Sequence, residues 1–471
     1  MVRGRLTGEG NFVGGKNVKM KQKKNVNRNP TVQGLMLALV RAQSIRAGMA
    51  LPSVRVLWRV MLVPALALLC LQGCATPPPR HAAVPPDLVT KATVVGFSET
   101  GEIRYFPRDP RDVELLEKEW IDSWEREKAY LQTQVLPPTA YLAISGGGDN
   151  GAFTAGFLNG WTNAGTRPQF KLVTGCSTGA LIAPFAFLGP AYDGVIKSLY
   201  TDVSMKDIAS VRSITSIFWD DALADTTPLW HLIQKYVTQD LVDAIAAEYE
   251  KGRFLLILTT DLDAQRPVVW NVTKIAASHK PGALDLVQKI LRASAAIPVT
   301  FPPVMINVEA NGQSYDEMHV DGSTAAQTFL YPAALPLTEL AKEHGDQRER
   351  KVYILRNARL DPEWAEVERR TLPIGIKAIQ TLLQFSGFGD LYRIYAITER
   401  DGVDFNLGFI PATFNTPHKE EFDTIYMRAL YEVGFGQAEA GYQWSKQPPV
   451  LLGRDNTSPG EDDTSSKSPP E

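Results

Sequence analysis

The chain has only three cysteines, Cys70, Cys74 and Cys176. Two lie beside an N-terminal apolar run and the third far downstream, so the sequence carries neither a disulfide framework nor a C-x-x-C metal pair. Its six histidines are scattered and none has H-E-x-x-H spacing, which leaves a zinc site without support. The expectation is a protein that uses no metal and no cofactor. Positive charge is also missing where a nucleic-acid binder would need it. The formal net charge is −3, but residues 1–73 hold twelve Lys/Arg and one acid, leaving 37 basic against 51 acidic side chains in residues 74–471. A body this acidic excludes nucleic acid as a partner. No internal repeat is visible, and no feature sets an oligomeric state.

What is present begins with an address. The apolar run Val60–Leu71 is too short to span a bilayer comfortably but suits the h-region of a signal peptide, with Arg55 and Arg59 as its n-region. Leu71-Gln72-Gly73-Cys74 then resembles a bacterial lipobox, whose cysteine is lipidated and becomes the new first residue. The expectation is an envelope lipoprotein held on a membrane through Cys74. Ala75 in place of Asp points to the outer membrane. A signal starting at Met49 would have an ordinary length, so residues 1–48 read as a mis-assigned start. An ordinary signal peptide cut nearby, or a buried helix, is the plainer alternative.

Strands alternate with helices along the body. Apolar runs at 140–145, 170–175, 253–262, 267–273 and 351–357 read as strands. Helical stretches are expected near 193–201, 228–250 and 284–295, after 333, and at about 374–400 and 420–445. This pattern gives an α/β fold: a three-layer sandwich with a central, mostly parallel sheet, plus C-terminal helices. The expected organisation is an extension and signal peptide (1–73), a proline-bearing tether (74–108), a lead-in helix (109–139) and a catalytic domain (140–360). A helical region packing on that domain (361–450) and a disordered tail (451–471) complete it. On the lead-in helix, Trp120, Trp124 and Leu131 can share a face.

The glycine loop Ile144–Phe153 admits two readings. Gly146, Gly148 and Gly151 spell G-x-G-x-x-G after a strand and before a helix. A dinucleotide fold then needs an acid about 20 residues past the glycines. No Asp or Glu lies between Asp149 and Asp193, which disfavours a nucleotide. In the acid's place stands Gly175-Cys176-Ser177-Thr178-Gly179, a G-x-S-x-G turn between strand and helix. Such an elbow exposes Ser177 at a helix N-terminus as a nucleophile. A serine nucleophile also needs backbone donors for the oxyanion that develops on the carbonyl, and Gly146, Gly147 and Gly148 can supply them. No histidine has the context of a general base. His319 comes nearest, two residues before Asp321-Gly322.

These residues resemble the patatin-like phospholipase family. Gly146-Gly147-Gly148 and Gly151 resemble its oxyanion loop. Ser177, flanked by Gly175 and Gly179, matches the nucleophile. Asp321, followed by Gly322, matches the acid of a Ser–Asp dyad that works without histidine. The resemblance covers about residues 140–325. It implies a metal-free serine lipid acyl hydrolase, a phospholipase A or esterase, in which Asp321 takes the Ser177 proton and an acyl-enzyme forms. Its substrate would be a lipid or other ester. A carboxylate with an ordinary pKa is a weak base, so partial burial should raise that of Asp321. Asp149-Asn150 stands where the family carries a cation, and the expectation is that Asp149 points to solvent. Two alternatives stay open: a Ser-His-Asp esterase on another α/β scaffold, and a non-catalytic patatin-like envelope lipoprotein.

Overall fold

The computed structural model describes residues 80–100, 102–212, 220–362, 364 and 366–449, all within the unit Thr76–Glu471. The expected signal segment, Cys74 as the expected lipidation site and the tail expected over 451–471 lie outside the described residues.

Ten strands build one sheet. In chain order they are β1 (Thr93–Val94), β2 (Arg104–Tyr105), β3 (Thr139–Ile144), β4 (Phe170–Cys176), β5 (Phe254–Asp261), β6 (Arg266–Asn271), β7 (Val304–Ala310), β8 (Gln313–Asp321), β9 (Arg350–Arg356) and β10 (Val403–Phe409). The centre, β5-β4-β3-β9-β10, is parallel throughout. The expected α/β fold with a mostly parallel central sheet is therefore present. Beyond β5 the pairing turns antiparallel, through β6, through β8 and β7, and at the short β1 and β2. The run at 267–273 is thus the return arm of a hairpin on β5, not another parallel strand.

Side chains of the central strands alternate between two cores, as a sheet covered on both faces requires. Ala140, Leu142 and Ile144 face one core, and Tyr141 and Ala143 the other. The first is closed by helices α2 (Gly151–Asn163), α3 (Thr178–Leu188) and α7 (Ala283–Ser294), and by α9 (Thr424–Glu439). The second is closed by α1 (Pro110–Leu131) and α8 (Thr371–Asp401). Between α3 and α7 run α4 (Asp193–Thr201), α5 (Thr227–Tyr236) and α6 (Gln239–Tyr249). The single helix expected over 228–250 is broken because Thr238 caps a new N-terminus, its side chain accepting from the Leu241 N–H.

Helix α1 starts on Asp109, which accepts from the Arg111 N–H, with Pro110 as first helical residue. Trp120 and Trp124 are buried as expected, but Leu131, in the last turn, is exposed. Residues 80–108 are no free tether. Val84, Leu88, Val89, Val94, Phe97 and Ile103 are buried, and Arg80 pairs with Asp263 at 2.6 Å. The apolar residues among the prolines outweigh the extended bias of the prolines. Nor is 361–449 purely helical, since β10 lies beside β9 in the sheet. The small residues of α2 are explained by α9. Cβ atoms at Gly156, Gly160 or Gly434 would run into backbone of the facing helix, so the two helices touch main chain to main chain.

Candidate active site

The end-to-end meeting of two strands builds the site. Residues 256–258 of β5 pair with β6 on one edge and β4 on the other. Residues 259–261 pair again with β6, but their other edge carries β8. Strands β4 and β8 therefore run toward each other along the same edge of β5. The last residue of one is Cys176 and of the other Asp321, so the turn after β4 meets the turn after β8.

At that junction Ser177 Oγ donates to Asp321 Oδ2 at 2.6 Å. Ser177 has φ 54 and ψ −125, a strained conformation for a residue with a side chain. Close packing explains the flanking glycines. A Cβ on Gly175 would lie 2.5 Å from the Gly179 carbonyl oxygen, and one on Gly179 would strike the Ile144 carbonyl. The turn is held from outside by Ser294 of α7, whose Oγ accepts from the Ser177 N–H at 3.1 Å and donates to the Leu258 carbonyl at 2.7 Å. Asp321 Oδ1 accepts from the Ser323 N–H at 2.7 Å. Burial pushes the Asp321 carboxyl up to about 6, against the downward pull of its bonds from Ser177 and Ser323. The neighbouring Cys176 thiol is buried too, and burial raises its pKa well above the ordinary thiol value, which leaves it inert.

The glycine loop follows β3. Gly146 directs its N–H at the Gln327 carbonyl, 3.0 Å away, so this amide is spent on the protein. Gly147 (φ 154) and Gly148 (φ 57) are left as the candidate donors. Gly148, Ser177 and Thr178 sit at one end of a pocket whose other walls include Leu181, Phe185, Leu232 and Phe301. Gly151 opens α2, and the space of its missing Cβ is taken by Tyr200 and Thr178. At Gly322, a Cβ would strike the Leu258 carbonyl.

Several residues that shape this loop were not singled out from sequence. Asn357, just past β9, donates its backbone N–H to Ser145 Oγ at 2.8 Å and its Nδ2 to the Ser145 carbonyl at 2.9 Å. Its Oδ1 accepts from Thr154 of α2 at 2.6 Å. Asp390 of α8 accepts the Gln327 N–H at 2.7 Å, positioning the carbonyl that holds Gly146. The one sequence signal for Asn357 is its place: a polar residue ending a buried strand at the edge where the nucleophile turn also lies.

Asp149 does not point to solvent. It is 3% exposed, and its Oδ2 accepts from His418 Nε2 at 2.7 Å and from the Phe422 N–H at 2.9 Å. Asn150 accepts from the Tyr426 hydroxyl at 2.6 Å. The 418–426 stretch before and into α9 supplies partners that no local reading of the loop could foresee. The bond to Asp149 raises the His418 pKa. Asp149, His418 and Glu421 bring one ligand atom each within 4.8 Å of one another, the one such metal-capable grouping among the described residues. Within it, Asp149 and His418 are already bonded to each other.

His319 is not brought to Ser177. Its Nδ1 meets Thr259 Oγ1 at 2.9 Å and its Nε2 meets Glu317 at 3.1 Å, both fully inside the protein. Among the described residues no helix is long and apolar enough to cross a membrane.

Residues 142–334 match the model of the family described as patatin-like phospholipase. The resemblance drawn from the glycine loop, the Ser177 turn and Asp321-Gly322 holds over that stretch, and it supports a lipid acyl hydrolase in general terms. Among solved structures the chain is similar to the crystal structure of VipD from Legionella pneumophila, at 12% identity and a TM-score of 0.33. That match spans 65% of this chain and 66% of the other, just under two thirds of its length. No curated protein matches.

Proposed function

We propose that the protein is a serine lipid acyl hydrolase of the phospholipase A or esterase class, working through a Ser177–Asp321 dyad. The observation that carries this reading is the 2.6 Å bond from Ser177 Oγ to a buried Asp321. A carboxyl lifted to about 6 is a better proton acceptor than an ordinary aspartate and is still ionised at neutral pH. Ser177 Oγ attacks the ester carbonyl as its proton passes to Asp321 Oδ2. The carbonyl oxygen takes the negative charge and meets the Gly147 and Gly148 N–H groups and the N-terminus of α3. Collapse breaks the bond to the alcohol, which leaves with the proton held by Asp321. Water then attacks the acyl-enzyme, Asp321 takes the water's proton and returns it to Ser177 Oγ, and the acid departs.

The mainly apolar pocket beyond Ser177 favours an acyl chain over a polar substituent. Both nitrogens of His319 are engaged by Thr259 and Glu317, which favours the dyad over a histidine-based triad. The lipobox reading adds a tether: lipid on Cys74 would hold the enzyme on its own substrate phase, at the outer membrane. A fluorophosphonate probe tests the chemistry. Wild type should label and Ser177→Ala should not; label retained by Ser177→Ala would sink the assignment. Mass spectrometry of the mature N-terminus tests the tether, which an unlipidated terminus upstream of Cys74 would refute.

A further inference from the structure

Helix α8 has two unlike halves. It runs 31 residues, Thr371–Asp401, about 46 Å at 1.5 Å per residue. From Gly387 onward it is packed into the protein, with Asp390, Leu391, Ile394 and Ile397 buried. Among its described side chains, the half before Gly387 has none buried, although it is mostly apolar: Ile374 is 50% exposed, Leu382 70% and Phe385 67%, with Ile376 and Ile379 above 40%. At about 100° per residue these five fall on an arc of about 200°, while Lys377, Gln380, Thr381 and Gln384 occupy the rest. Trp364, just ahead of the helix, is 88% exposed.

An exposed apolar face this long marks an interaction surface, and three observations choose its occupant. The first is charge. Residues 371–389 contain no acid, and Lys377 on the helix follows Arg369 and Arg370, the latter paired with the exposed Glu368 at 3.4 Å. In a body with 51 acids to 37 bases, the helix half itself carries only Lys377 and no acid, while the acids Asp361, Glu363, Glu366 and Glu368 lie ahead of it. The second is amphipathic form: a basic residue on the polar arc, with Phe, Leu and Ile opposite and Trp beside it, is the pattern of a helix lying in a membrane interface. The third is continuity with the site. Gln384 accepts from Arg356 at 3.3 Å, and Gly387 packs against the same guanidinium. The next residue, Asn357, holds Ser145 and abuts Gly147. A surface met by this half-helix lies beside the glycine loop.

We infer that Thr371–Ser386 docks on an anionic lipid surface, its apolar arc among the acyl chains and Lys377 at the headgroups. This goes beyond the proposed hydrolysis and does not require Ser177 to be catalytic. The test uses the full chain on vesicles of phosphatidylethanolamine and phosphatidylglycerol, with a photo-crosslinker placed as Leu382→p-benzoylphenylalanine. The comparison is Val135→p-benzoylphenylalanine, which sits 83% exposed before β3, at the sheet end away from Ser177. Lipid adducts at least tenfold more abundant from position 382 are expected. Equal yields, no lipid adduct, or an adduct to a second copy of the chain would overturn the inference. A second arm joins Leu382→Asp to Phe385→Asp. Hydrolysis of vesicle lipid should fall at least tenfold while a soluble short-chain ester stays within twofold; equal loss on both, or none on vesicles, counts against docking. Should wild type hydrolyse neither substrate, the proposed function fails and the crosslink alone decides the docking.

Discussion

Replacing Asp321 by Asn should destroy activity and raise stability, and the two effects have one cause. The Asp321 carboxyl stands at about 6 in the folded protein, against 3.8 for the ordinary side chain, because burial penalises its charged form. At pH 7.5 the group is ionised in both states, so folding carries the cost of the full shift, about 3 kcal/mol at 1.36 kcal/mol per unit. The sign follows from proton binding. A carboxyl with a raised folded pKa favours the folded state at low pH, and that advantage is lost as pH rises through about 6. An amide escapes the penalty while keeping the local bonds: its oxygen can accept from Ser323 N–H and its Nδ2 can donate to Ser177 Oγ. Urea titrations at pH 7.5 should therefore find Asp321→Asn more stable by up to about 3 kcal/mol. At pH 4.5, where only the unfolded carboxyl remains ionised, the gain should shrink to about 1 kcal/mol. Turnover of a soluble ester should fall by about 10²–10⁴, the usual worth of a positioned proton acceptor. A variant that is less stable at both pH values, or that retains turnover, would refute both the burial argument and the role of the residue.

The same carboxyl sets the acid limb of the rate profile. Log kcat/KM for a soluble ester should rise with unit slope, about tenfold per pH unit, and level off above about 6; a profile flat down to pH 4.5 would rule Asp321 out as the base. Asn357→Ala removes the side-chain bonds to the Ser145 carbonyl and to Thr154, keeping only the backbone bond to Ser145 Oγ, and should lower kcat on the order of tenfold or more with little change in KM, because it loosens donors used in the transition state. An unchanged kcat would show that Asn357 does not position the loop. His418 is held by Asp149, which raises its pKa. The charged pair is complete below the ordinary histidine value of 6.5 and is lost as pH rises through the raised one. Thermal stability of wild type should therefore decline across that interval, and His418→Gln should flatten the decline; an unaltered slope would remove the pair from the account.

The parts of the site legible in the sequence were those whose reasons are local. Gly175, Ser177 and Gly179 announce themselves because one tight turn needs all three within five residues. Strands β3, β4, β5 and β9 are buried on both faces and read as short apolar runs. Hairpin β7–β8 is different. Its exposed and buried residues mix with Asp316, Glu317 and His319, which are satisfied by Arg104, His81, Asn307 and Thr259 rather than by water. Such a mixture breaks the continuous apolar run by which the central strands are recognised. Strand β10 alternates Val403, Phe405, Leu407 and Phe409 with Asp404, Asn406 and Gly408, so it lacks the continuous apolar run that marks the central strands; Asp404 and Asn406 are paired by Lys446 and the Val352 carbonyl. Polar residues with distant partners disguise strands.

Asp149 shows the same limit at the site itself. Beside a loop proposed to meet an oxyanion, a carboxylate reads as an error unless it turns away, and solvent was the only partner the sequence offered. The protein instead turns it inward, onto His418 Nε2 and the Phe422 N–H, and Asn150 onto Tyr426. The negative charge is thereby committed to a donor pair, while Gly148 lines the pocket beside Ser177. The loop is gripped from two directions: by Asn357 and, through Gln327, by Asp390 on one side, and by the stretch leading into α9 on the other. Residues past 340 thus hold what residues 144–151 present. This gives the C-terminal region a defined part in shaping the loop rather than a place in packing alone, and it supplies the partners of the acid beside that loop. The compensation lies about 270 residues away in the chain, at 418–426.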